Sequence, residues 1–149
     1  MSIAAFRTCL PALLAAVLVA GCADPGPPPG GSVAELERID VVQGEGELAQ
    51  AGDEVVVPYS GWVSDEREAD RRGEAFASSR ERDEPFTFPL GAGRVIAGGD
   101  EGVTGMRVGG RRELRIPSEM AYGRRGAGGV IPPNASLVFD VELLEVRRP

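Results

Sequence analysis

Two rhythms divide the chain. Between Leu10 and Ala20 apolar residues follow one another with almost no interruption and no period. From about Val41 onward they come in short runs, several alternating with polar neighbours, and Gly or Pro punctuates them every few residues. Alternation at period two marks a half-buried strand, and Gly and Pro mark the turns between strands. Residues 54–63 (EVVVPYSGWV) are rich in β-branched and aromatic types and read as a strand. Pro58 has no amide donor, so that strand must be an edge or bulge there. Residues 85–90 read as a second strand. A third alternates from Arg112 and is stopped by Pro117. In residues 137–146, Leu137, Phe139, Val141 and Leu143 share one face. Residues 64–73 are charged and read as a solvated loop or a short helix. Residues 93–106 fit one short helix, weakened by Gly98, Gly99, Gly102 and Gly105. The expected fold is α+β: an antiparallel, strongly twisted sheet wrapped around one short helix, since no other segment is long enough to cover a sheet face.

The first segment has a different purpose. Arg7, the apolar run and the small residues Ala20 and Gly21 form the pattern of a secretory signal. The run is short for a spanning helix, which needs roughly 20 residues. Leu18-Val19-Ala20-Gly21-Cys22 resembles a bacterial lipobox, which implies a diacylglyceryl group on Cys22 and cleavage before it. Residues 23–32 are rich in Pro and Gly and read as a tether that is part extended, part loose. The expected plan is a lipoprotein signal peptide over 1–21, a lipidated Cys22 with its linker over 22–40, and a folded domain over 41–149. The expected location is the cell envelope: lipid-anchored on the outer face of the cytoplasmic membrane, or in the periplasm or outer membrane.

Composition narrows the chemistry. The 149 residues contain no His, carry a net charge of −7, and take all their basic residues from Arg. Without His there is no Ser-His-Asp triad, no Cys-His pair and no imidazole metal ligand. The cysteines are Cys9 and Cys22, so cleavage before Cys22 leaves one thiol and no internal disulfide. An acidic chain repels phosphate backbones, which argues against nucleic acid as partner. The glycines at 98–99 and 126–129 are not followed by Gly-Lys-Ser/Thr, so they are not phosphate loops. Asp100-Glu101 is read as the acidic start of the helix. No metal or cofactor is expected.

The motifs of residues 41–146 occur in a recognisable order. They include Val57-Pro58-Tyr59-Ser60-Gly61, Phe76-Ala77-Ser78-Ser79-Arg80, Pro85-Phe86-Thr87-Phe88, Leu90-Gly91 and Val95-Ile96. Gly102-Val103, Met106-Arg107-Val108-Gly109, Ala121-Tyr122-Gly123 and residues 131–143 (IPPNASLVFDVEL) follow. This collinear set resembles the FKBP family, the immunophilins that bind tacrolimus and rapamycin. The resemblance implies a peptidyl-prolyl cis-trans isomerase acting on X-Pro bonds of exported, unfolded or flexible polypeptides, with macrolides as further ligands and a monomeric state. It places Tyr59, Phe76, Tyr122 and Phe139 at the catalytic centre, with Phe86, Val95, Ile96, Val130 and Ile131 around the bound peptide. By the same resemblance the Ile96 amide and the Tyr122 hydroxyl hold peptide carbonyls, and Arg82 belongs to a polar network behind the pocket. Phe88 matches no pocket position and is read as core. The residues themselves agree with this reading. A proline ring offers surface and no donor, so its site must be an apolar, aromatic cup.

Three positions depart from the family's pattern. Ala77 stands where the family usually has Asp, which removes a partner from Arg82 and an anchor from the tyrosine hydroxyls. Gly99 stands where its best-known members carry a Trp on the pocket floor, and Ala127 where many carry a His. The first two support an alternative reading as a catalytically weak Pro-peptide-binding or chaperone-like lipoprotein.

Overall fold

The computed structural model describes Gly26, Pro28 and residues 30–149; the signal segment and Cys22 lie outside the described residues. Among the described residues eight strands form two antiparallel sheets, and one α-helix packs against them. The strands are β1 (Glu37–Val42), β2 (Glu54–Val57), β3 (Tyr59–Ser64), β4 (Arg72–Ser78), β5 (Phe86–Pro89), β6 (Arg111–Ile116), β7 (Leu137–Glu142) and β8 (Glu145–Arg147). Helix α1 is Ala97–Val103. The larger sheet has the order β1-β6-β7-β3-β4 and the smaller one β5-β2-β8. The α+β architecture with one short helix is as expected.

The single strand expected over residues 54–63 is two strands in different sheets, parted at Pro58. Proline cannot donate to a ladder, so the pairing stops there and the chain steps across. Its carbonyl still accepts the Glu142 N–H at 3.1 Å. The run expected over residues 137–146 divides in the same way, into β7 of the large sheet and β8 of the small one. Two elements had no clear pattern in the sequence. β1 begins at Glu37, ahead of residue 41, so residues 37–40 belong to the sheet and not to the linker. It lies at an edge and is exposed along most of its length, so it lacks the apolar alternation that betrays a strand. β4 has irregular register with β3, shifting between Gly61 and Trp62 and again between Trp62 and Ser64.

Glycine decides how α1 sits. Gly98 and Gly102, four residues apart on one helix face, are both buried. A Cβ on Gly98 would collide with Ile116, and one on Gly102 would stand 2.5 Å from Leu114 Cδ1. The glycines that lower helix propensity therefore let the helix lie directly on β6. Asp100 is more than an acidic first turn. Its carboxylate accepts the Gly91 and Gly93 N–H groups at 3.0 Å each, fixing the loop between β5 and α1 at two glycines with left-handed φ.

The two faces of the large sheet differ in character. The inner face joins Val55, Leu90, Val103, Leu114 and Leu137 in the core. On the outer face Asp140 is buried to 2% exposure beneath Arg111, Arg80 and Arg72. Arg72 also pairs with Glu113 at 3.0 Å and lies 4.4 Å over the Trp62 ring. Burial alone would raise the Asp140 pKa, but the Arg111 hydrogen bonds and the charges of Arg111, Arg80 and Arg72 outweigh it, and the pKa is lowered. The described end of the tether lies against the domain: Val33 is buried and its N–H donates to Ser136 Oγ at 2.9 Å.

Two outcomes are expected. Gly102→Val, which overpacks the helix–sheet contact, destabilises the domain by about 1–3 kcal/mol in urea unfolding. Asp140→Asn destabilises it at neutral pH, and the difference from wild type shrinks as the pH falls. The sign follows from the lowered pKa: the stabilisation is fully present above the unfolded value of about 4 and is lost as pH drops through the folded value.

Candidate active site

A cavity of about 310 Å³ opens where the two sheets meet the start of α1. β3 contributes Tyr59, β4 Phe76 and Ala77, β5 Phe86 and Phe88, and β7 Phe139 and Val141. Arg94, Val95, Ile96 and Gly99 come from the approach to α1 and its first turn, and Tyr122 from the loop after β6. Val57, Val103 and Leu114 reach it from the core. Its lining is thus mostly aromatic and aliphatic, as a site for a proline ring requires.

The rings form a connected wall. Phe76 meets Phe139 edge to face, with centroids 5.5 Å apart. Phe139 lies 6.0 Å from Tyr59, and Tyr59 meets Phe86 edge to face at 5.7 Å. Phe86 stacks on Phe88 at 5.4 Å. Such contacts add about 0.5–1.5 kcal/mol per pair beyond simple burial, so the wall is stiff.

Two backbone features aim these rings. Gly61 pairs with Ala77 and Trp62 with Ala75, so Phe76 is the extra residue of a bulge. A bulge redirects a side chain relative to its strand, and here the result is a Phe76 ring in the cavity wall. Gly61 makes the space for it: a Cβ there would stand 2.7 Å from Phe139 and 2.8 Å from Phe76. Tyr59 is held by Ser79, which is buried. The Tyr59 N–H donates to Ser79 Oγ at 2.8 Å, and the Ser79 N–H donates to the Tyr59 carbonyl at 3.0 Å. Ser79 was visible in its motif, but nothing in the sequence marked it as the clamp on Tyr59.

Three of the lining residues carry polar groups without a partner among the described residues. The Ile96 carbonyl accepts the Gly99 and Asp100 N–H groups, while its own N–H donates to no described group. The Tyr59 and Tyr122 hydroxyls have no partner among the described residues. At Ala77 no carboxylate faces them.

Of the expected site residues, Tyr59, Phe76, Phe86, Val95, Ile96, Tyr122 and Phe139 line this one cavity. Three do not. Val130 is exposed and Ile131 is buried in the core; both border a neighbouring groove rather than this cavity. The cause is a tight turn closed by hydrogen bonds in both directions between Ala127 and Ile131, with Gly128 and Gly129 at left-handed φ. Arg82 is exposed and makes no ion pair among the described residues; the arginine behind the pocket wall is Arg80, on Asp140. Phe88 is core, as expected, and also touches the cavity. At Gly99 the nearest atoms to an added Cβ belong to Val95 and Ile96, at 3.3–3.8 Å, and Trp62 does not take the place of a larger residue there, because it is on the other face of the sheet beneath Arg72.

Known proteins resemble this chain over most of its length. It is 52% identical over 107 residues to the FK506-binding protein of Neisseria meningitidis serogroup A, covering 72% of this chain and 92% of that one. It is 52% identical over 99 residues to the peptidyl-prolyl cis-trans isomerase FPR2 of Saccharomyces cerevisiae, covering 66% and 69%. Among solved structures, FkpA from Escherichia coli superimposes with a TM-score of 0.65 at 42% identity. That match covers 76% of this chain and 48% of FkpA, so the chain spans about half of that protein's length. Residues 45–144 match the FKBP-type peptidyl-prolyl cis-trans isomerase family, and this chain, an enzyme of that type, belongs to it.

Proposed function

We propose that the domain isomerises X-Pro bonds in exported polypeptides, assisting their folding, from an envelope membrane to which a lipid on Cys22 ties it. The observation that carries the catalytic part is the aromatic cavity, whose lining includes Ile96 and Tyr122 with an N–H and a hydroxyl unengaged among the described residues. Amide resonance sets a barrier of about 18–20 kcal/mol to rotation, and no covalent step is needed to lower it. When the amide twists, it loses double-bond character and charge separation. A predominantly apolar wall of Tyr59, Phe76, Phe86 and Phe139 suits that less polar state better than the planar amide. Ile96 and Tyr122, holding carbonyls on either side, keep the rest of the peptide still while the bond turns. Uncatalysed isomerisation takes tens to hundreds of seconds, slow enough to limit folding.

The same cup suits the ring of a macrolide such as tacrolimus or rapamycin, in line with the names of the relatives. The chain acts as a monomer. Export and lipid attachment are supported by Arg7, the apolar run and Ala20-Gly21-Cys22. A second reading, a Pro-peptide binder of low turnover, is favoured by one observation: with Ala77 in place of an acid, the tyrosine hydroxyls stand without a carboxylate.

In an isomerisation assay on a proline peptide the protein accelerates exchange above the buffer rate. A rate equal to buffer leaves only the binding reading. Ala77→Asp, restoring one hydrogen-bond acceptor, raises turnover about 2- to 10-fold. An unchanged rate means that the pocket works without that acid. Cys22→Ser releases the protein from the membrane fraction; continued sedimentation with membranes rules out the lipid as main anchor.

A further inference from the structure

Arg94 is the one charged residue among the described residues that line the cavity. It is exposed and has no ion-pair or hydrogen-bond partner among the described residues. The acid nearest to it on its own segment, Asp100, has both carboxylate oxygens committed to the Gly91 and Gly93 amides. Across the cavity Ala77 brings no charge. A cation therefore stands in the lining of an otherwise uncharged site, two residues along the chain from Ile96, whose N–H has no partner among the described residues.

We propose that Arg94 is a specificity-determining residue that favours polypeptides with an Asp or Glu immediately flanking the isomerised proline. The proposal rests on the isomerase reading of this cavity. The chain as a whole repels acidic ligands, since its net charge is −7. The preference must come from close range, where the guanidinium meets the flanking carboxylate, and not from long-range steering. An exposed ion pair of this kind gives about a two- to five-fold preference at low ionic strength, diminished by salt.

The test uses peptides identical except for Glu, Gln or Lys at the position before the proline, and a second set varied at the position after it. Isomerisation is measured by exchange NMR, which needs no protease with preferences of its own, and binding by chemical-shift titration of the same peptides. The expected result is that in at least one set Glu exceeds Gln and Gln exceeds Lys. The Glu/Gln ratio falls to about one in Arg94→Gln, and the order reverses toward Lys in Arg94→Glu. The wild-type preference also shrinks in 0.5 M salt, by about the full ion-pair effect. Equal handling of Glu and Gln in both sets, or a preference that survives Arg94→Gln, overturns the proposal. If the peptides bind but none is isomerised, the isomerase reading fails, while the titrations still decide the role of Arg94. If none binds, both fall.

Discussion

Proline 58 cannot donate a hydrogen bond, and much of this structure follows from that deficiency. A ladder that reaches it must stop, so the chain leaves the small sheet at Val57 and enters the large one at Tyr59. The return strand makes the same crossing after Glu142, whose N–H bonds to the Pro58 carbonyl. Two sheets that part in this way leave a seam, and the cavity lies over it, with walls drawn from both. The site is therefore a consequence of how the sheet is broken, not an indentation added to a finished scaffold.

The strands that carry the site serve two environments at once. Phe139 faces the cavity, and its neighbour Asp140 is buried on the opposite face under three arginines. Period-two geometry makes this division automatic once the register is set. The ion-pair lattice behind the sheet also binds strands that are distant in sequence: Arg72 of β4 reaches Glu113 of β6. A rigid back favours a rigid front. The connected aromatic wall then meets a substrate without first having to be ordered.

Where this chain departs from its family, the structure shows subtraction without replacement. At Gly99 a Cβ would meet Val95 and Ile96 at ordinary or slightly tight distance and Trp62 lies elsewhere, and Ala77 leaves two hydroxyls without an acid among the described residues. The apolar wall is intact. A mechanism that depends on a predominantly apolar aromatic surface survives such losses better than one that depends on an acid, a base or a nucleophile.

The sequence by itself settled the fold class, the strands β5 and β6, the short helix, and seven residues of the cavity wall. These are legible because strand alternation, Gly/Pro punctuation and collinear motifs are local properties of a chain. Tertiary structure decided the rest. β1 is an exposed edge strand with no buried face to leave an apolar pattern. Phe76 points into the site because of a bulge against β3, and a bulge is a property of two strands. Val130, Ile131 and Arg82 fell outside the cavity because a turn closed by Ala127 and Ile131 directs the first two elsewhere, and Arg80 is the arginine that reaches Asp140. The glycines of α1 looked like defects until the neighbouring strand showed what they make room for. One chain read alone can show which residues are apolar or permissive; what each must fit against is decided by a partner far away in sequence.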